Sequence, residues 1–225
     1  MKNVIELSNI SKSYYSKLGS EYKILKDINL EIEHGEMISV TGDSGSGKTT
    51  LLNILGCIIN ATSGTYYLNN QKINSLDKNS IQKIKNQYIG FITQDFDLLT
   101  DMYAYQNVEL PLLFNPQISY EEIPDLIDAA LSKVGMVHMK NEKVEHLSGG
   151  EKQKIAIARA IVMNPNIILA DEPTGSLDVR NTNEIIKLLK EINKKGTTII
   201  LVTHNPLVAK DCDREIILYD GKIIS

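Results

Sequence analysis

Short apolar runs alternate with stretches of helical period along most of this chain. Met37 to Thr41, Tyr88 to Ile92, Ile167 to Ala170, Thr198 to Val202 and Glu215 to Tyr219 are brief and nearly continuous in apolar residues. Such runs read as strands buried on both faces. Ile185, Leu188, Leu189 and Ile192 instead recur at helical spacing, and Lys194, Lys195 and Gly196 close that helix with cations and a C′ glycine. Strands alternating with helices predict an α/β fold around a mainly parallel sheet.

Two hairpins frame that sheet. Tyr66 to Leu68 and Gln71 to Ile73 flank Asn69-Asn70, and Asp220-Gly221 turns the last strand back on itself. The N-terminal third therefore has antiparallel character. Residues 95–146 differ again, with Pro111, Pro116 and Pro124, then an amphipathic helix through Leu126, Ile127, Ala130, Leu131 and Val134. Ser119 and Glu122 have the spacing of a capping box at its start. This segment reads as a helical subdomain inserted between two core strands.

Composition narrows the possibilities. With 225 residues, 42% hydrophobic and 23% charged, the chain can bury a sizeable core. A net charge of -4 gives no reason to expect a nucleic-acid partner, whose phosphates select basic faces. No run approaches the roughly 18 to 20 apolar residues of a bilayer span. Glu6, Asn9, Lys12 and Ser13 interrupt any leader-like apolar core near the start. The expectation is a protein that stays in the cytosol. Cys57 and Cys212 lack paired spacing, and Cys57 sits in an apolar run as a small hydrophobe. His34, His138 and His146 show no ligand spacing and read as surface or loop residues.

The chemistry begins at Gly42-Asp43-Ser44-Gly45-Ser46-Gly47-Lys48-Thr49, which fits G-x-x-x-x-G-K-[ST] between a strand and the start of a helix. At ordinary residue usage the pattern arises by chance in roughly 1% of chains this long. Its glycines let successive N–H groups face phosphate oxygens. Lys48 reaches the outer phosphates, Thr49 offers a hydroxyl to Mg²⁺, and the nucleotide-binding stretch runs from Gly42 through Ser44, Ser46 and Thr49 to Thr50. Ile167 to Glu172 is a strand ending in two carboxylates. Beside a phosphate site, Asp171 suits a Mg²⁺ ligand and Glu172 a group that orients or deprotonates water. Leu147-Ser148-Gly149-Gly150-Glu151 opens another helix. Alone it reads as a capped helix start, although its exposed N–H groups equally offer a second anion site.

These three motifs in this order resemble the nucleotide-binding domain of ABC transporters, and the resemblance covers nearly the whole chain. It implies a P-loop NTPase (RecA-like) core of residues 1–94 and 147–225, with an N-terminal antiparallel β subdomain and a helical subdomain at 95–146, all one ATP-binding domain. It implies ATP and Mg²⁺ as cofactors, and an ATP-bound homodimer. Ser148, Gly149, Gly150 and Glu151 of one copy would close over the γ-phosphate held by the P-loop of the other. Gln94 corresponds to the family's Q-loop glutamine, which reaches Mg²⁺. Asp178, in Gly175-Ser176-Leu177-Asp178, looks like the D-loop aspartate that crosses the dimer interface. His204 resembles the switch histidine, and Tyr14 the aromatic that stacks on adenine, with Tyr15 beside it as the other register. Glu151-Lys152-Gln153-Lys154 departs from the commoner Gln-Gln-Arg, and Asp43 is unusual in a P-loop.

Within the family, Leu52 to Cys57, Asn107 to Leu112 and Ala170 to Asp178 look like the branch that holds macrolide exporters, lipoprotein-releasing systems and antimicrobial-peptide resistance transporters. That likeness implies a membrane permease, separate or fused, and a place on the cytoplasmic face of the membrane. The other reading is a regulatory partner that transmits ATP-driven motion to a membrane protein without transport.

Overall fold

The computed structural model describes residues 2–16 and 19–224. In chain order its elements are β1 Asn3–Tyr15, β2 Glu21–Glu33, β3 Met37–Thr41, α1 Lys48–Leu55, β4 Ser63–Leu68, β5 Gln71–Lys72, α2 Lys78–Tyr88 and β6 Ile89–Ile92. There follow α3 Ala104–Leu113, α4 Ile123–Lys133, α5 Gly149–Ile161, β7 Ile167–Asp171, α6 Val179–Asn193, β8 Thr198–Val202, α7 Pro206–Ala209, β9 Arg214–Tyr219 and β10 Lys222–Ile223.

The strands form two sheets, one ordered β2-β1-β4-β5 and antiparallel, the other ordered β10-β9-β3-β8-β7-β6. The larger sheet is parallel except for the β9–β10 hairpin. Its central strands are buried on both faces. Ile168, Ala170, Ile199 and Leu201 enter one apolar core with α3 to α6. Ile167, Leu169, Ile200 and Val202 enter a second core with α1 and the antiparallel sheet. Strand side chains alternate in direction, so each neighbour along β7 and β8 belongs to the opposite core. Removing one of these side chains costs about 2–5 kcal/mol where the cavity cannot collapse.

Parallel connections put the C-terminal ends of β3, β6, β7, β8 and β9 on one edge of the sheet, which is where open α/β sheets form their ligand crevices. β3 runs into the P-loop, β6 into Gln94, β7 into Asp171 and Glu172, and β8 into His204. The C-terminal hairpin and β2 brace that edge. Gly221 N–H donates to the Ser46 carbonyl at 3.2 Å, Lys26 N–H donates to the Gly221 carbonyl at 2.8 Å, and the Lys26 ammonium meets Asp220 at 2.7 Å.

Sequence-based boundaries move at several points. Tyr88 ends α2 rather than opening β6, because the helix passes directly into the strand at Ile89, whose N–H still donates to Lys85. Ile73 leaves the hairpin for a 3₁₀ turn. Glu122 accepts the Ser119 N–H at 2.9 Å, yet α4 starts only at Ile123. The pair therefore closes the turn before the helix, and Pro124 occupies the first helical turn, where its missing N–H costs nothing. α6 ends at Asn193 and stays right-handed through Lys194, so positive φ arrives at Gly196 with 99°, one residue beyond C′.

His34, His138 and His146 are exposed. Cys57 and Cys212 are free and half-buried, and burial pushes both thiols up to about 11.

Candidate active site

The P-loop wraps the N-terminus of α1 in a way only glycine permits at two points. Gly42 has φ 141°, and a Cβ there would run into the Leu218 carbonyl of β9. Gly47, at φ 107°, is the N-cap of α1, and its Cβ would press 2.8 Å from Leu25 of β2. No side chain caps α1, whereas Asp77, Ser148 and Asp178 cap α2, α5 and α6. The first-turn amides of α1 thus remain available to an anion. Lys48 is 7% exposed and its Nζ donates to the carbonyls of Gly42 and Asp43, each at 2.8 Å. The Ser46 hydroxyl is buried without a partner among the described residues.

An open cleft of about 880 Å³ lies above this loop. Ser44, Gly45, Gly47, Lys48, Thr49 and Thr50 form its floor, and Gln94, Asp171, Glu172 and His204 one wall. Tyr14 lines it too, while Tyr15 does not, because successive strand residues face opposite ways. Tyr14 is 44% exposed, with Lys12 Nζ 5.0 Å from its ring centroid. Gly42, Asp43 and Ser46, though part of the same loop, do not line the cleft.

The carboxylates differ in surroundings. Burial raises the Asp171 carboxyl above its usual range, opposed by a hydrogen bond from Thr49 and the charges of Lys48 and His204. Burial also raises Glu172, opposed by the His204 N–H, which donates to Glu172 Oε2 at 3.4 Å. Glu172 Oε1 lies 3.3 Å from His204 Nε2 but lacks the alignment of a hydrogen bond, and it has no such partner among the described residues. Glu172 holds φ 47°, a left-handed conformation costing about 1–2 kcal/mol. Its N–H donates to the Val202 carbonyl at 3.0 Å, its carbonyl accepts from Gly175 at 3.0 Å, and these bonds hold the bend.

The remaining predicted residues lie outside the cleft. Ser148 caps α5 as half of a capping box. Its N–H and hydroxyl donate to Glu151 at 2.8 and 2.7 Å, which holds the Glu151 carboxyl below its ordinary range. An anion therefore already sits at this helix start, supplied by the chain itself. Asp178 caps α6, accepting from the Asn181 N–H at 2.7 Å. Ile24, Thr93, Asp95 and Asp97 also line the cleft and escaped the sequence reading. Thr93, Asp95 and Asp97 flank Gln94, and that proximity was the available signal. Ile24 arrives through the pairing of β1 with β2, which no local pattern announces.

A glycine-rich loop over an uncapped helix start, a buried lysine and two strand-end carboxylates fit a nucleoside triphosphate with a divalent cation. The comparisons agree. The family model described as ABC transporter matches residues 25–175. The chain belongs to the ABC transporter family.

It is the ATP-binding component of that family, an ATPase. The ABC transporter ATP-binding protein YvrO of Bacillus subtilis, itself uncharacterized, is 46% identical over 222 residues, 98% of this chain and 96% of that protein. The macrolide export ATP-binding/permease protein MacB of Salmonella typhimurium is 40% identical over all of this chain, which spans 34% of its length. Among solved structures, the ATP-binding cassette MJ0796, a Methanocaldococcus jannaschii protein, was determined as a dimer in a post-hydrolysis state bound to ADP and Pi. It superposes with a TM-score of 0.90 at 41% identity, over 98% of this chain and 97% of that one. No helix among the described residues is long and apolar enough to cross a membrane.

Proposed function

We propose that this ATPase works as a homodimer that closes on Mg-ATP and drives an export permease handling macrolides, lipoproteins or antimicrobial peptides. The observation carrying the dimer is the separation of motifs. Ser148 lies outside the cleft that holds Lys48, so a pocket using both needs a second copy. The likeness to the MacB export protein supports the permease, and residues 95–146 with α3 and α4 are the subdomain that would move against the core.

In this reading the amides of Gly45 and Gly47 and the ammonium of Lys48 bind the β- and γ-phosphates, while Thr49, Asp171 and Gln94 hold Mg²⁺. The metal supplies charge neutralisation on the phosphates when bound. Glu172 accepts a proton from the attacking water and directs its lone pair at the γ-phosphorus as the bond to the β–γ bridging oxygen breaks and ADP leaves, while the His204 backbone N–H holds the carboxylate through Oε2 at 3.4 Å. Ser148 of the second copy caps the same phosphate, for which the Glu151 carboxylate must yield its hold on the Ser148 N–H.

Two measurements test this. Phosphate release per chain should rise with protein concentration while subunits are mostly monomeric; a strictly constant specific activity across a wide dilution series would exclude the composite pocket. Tyr14→Ala should weaken nucleotide binding by roughly 1–3 kcal/mol, the scale of base–aromatic stacking, with Tyr15→Ala near wild type. Titration with a fluorescent nucleotide reads both, and the reverse ranking would reject Tyr14.

A further inference from the structure

α5 begins beside Ser148 and carries Arg159 eleven residues further on, about 16 Å along the helix axis. Arg159 does not line the cleft. Its guanidinium turns to the loop after Gln94, where Nη2 donates to the Phe96 carbonyl at 2.8 Å and Nη1 donates to the Asp97 carbonyl. Phe96 and Asp97 are both left-handed, at φ 65° and 48°. Two such residues in succession are rare outside glycine, and the bend presents two successive carbonyls to one planar fork. The loop's own closures are a Phe96 N–H to Thr93 bond of 3.3 Å and an Asp97 N–H to Asp95 bond of 2.8 Å. Burial draws the Arg159 guanidinium below its ordinary value, with the Asp97 charge opposing. The cation is held where desolvation penalises it, and the carbonyls offset that cost. Gln94, Asp95 and Asp97 all face the cleft, so the conformation of this loop sets where the Gln94 amide sits.

We propose that Arg159 is a positioning residue for ATP hydrolysis: it locks the 94–97 loop to α5 and so aims Gln94 into the cleft. The proposal rests on the reading of Gln94 as a group at the phosphate end. It also gives α5 two ends with different partners. Ser148 faces the second copy's nucleotide, and Arg159 holds the loop at its own chain's nucleotide.

Arg159→Lys keeps the charge and loses the fork, whose two nitrogens each hold one carbonyl, and leaves a single donor nitrogen on a differently shaped stem in their place. Expected is a kcat lowered roughly 10- to 100-fold, the scale of a small misplacement of a catalytic group, with KM for ATP within about twofold of wild type because α1 and Lys48 are untouched. Adding Arg159→Lys to Gln94→Ala should cost little further, because both remove the same function. Amide hydrogen exchange of the nucleotide-free protein should speed up at residues 95–98 and stay unchanged in β7 and α1. Additive losses in the double variant would overturn action through Gln94 while leaving the site reading intact. Normal turnover by Gln94→Ala would remove Gln94 from the chemistry and the proposal with it. Exchange accelerated throughout the chain would make Arg159 a residue of general stability and likewise overturn the proposal, as would unaltered kcat in Arg159→Lys.

Discussion

Glu172→Gln is expected to bind ATP with near-normal affinity, release phosphate about 10²- to 10⁴-fold more slowly, and accumulate as an ATP-bound dimer. The carboxylate side chain is 17% exposed, and its Oε1 has no hydrogen-bond partner among the described residues. Because Oε1 is closed off from solvent, water reaches this carboxylate through the exposed remainder of the side chain. Glutamine keeps the shape and can still accept the His204 N–H that Oε2 accepts at 3.4 Å, so the bend at φ 47° survives. It cannot take the proton. Closure of two copies around ATP requires no proton transfer, so the dimer should form and persist. Gel filtration with Mg-ATP, run beside a phosphate-release assay, reads both halves. A variant that stays monomeric with ATP and turns over normally would remove Glu172 from catalysis.

The sequence was most legible where burial is two-sided. β3, β7 and β8 read as continuous apolar runs because each face meets a different core, and their ends carry the motifs because parallel strands share one edge. β1 was legible only as antiparallel character. Its pairing with β4 shifts register between Ser8 and Ser11, and Asn9 is left-handed at φ 52°. That irregularity breaks the period-2 alternation by which a half-buried strand is recognised. Motif spelling singled out Lys48, Asp171 and Glu172, which the fold gathers in one cleft. It could not identify Ile24 or Arg159, whose places depend on which distant backbone atoms lie beside them. Nor could spelling show that Glu151 satisfies Ser148 within one chain, since a capping box and a phosphate site draw on the same N–H groups.

The pairing of copies gives the second large effect. Lys48→Ala removes a buried cation and its bonds to the Gly42 and Asp43 carbonyls. Loss of a buried, hydrogen-bonded charge costs about 2–5 kcal/mol, which lowers ATP affinity by roughly 30-fold to several thousand-fold. Ser148→Arg blocks the other half of the proposed pocket and leaves the cleft alone, because Ser148 lies outside it. Each variant alone should be nearly inactive. Mixed dimers should regain one complete site, built from the Lys48 of the Ser148→Arg chain and the Ser148 of the Lys48→Ala chain. Equal mixing makes about half the dimers mixed, each with one of two sites restored, so about a quarter of wild-type turnover is expected. Capture of one tagged variant by the other in Mg-ATP provides the second readout. ATP-dependent capture without turnover would mean that the two sites fire only together, which keeps the composite pocket. Absence of both capture and turnover would overturn pairing in trans, because each mixed dimer would carry one site touched by neither substitution.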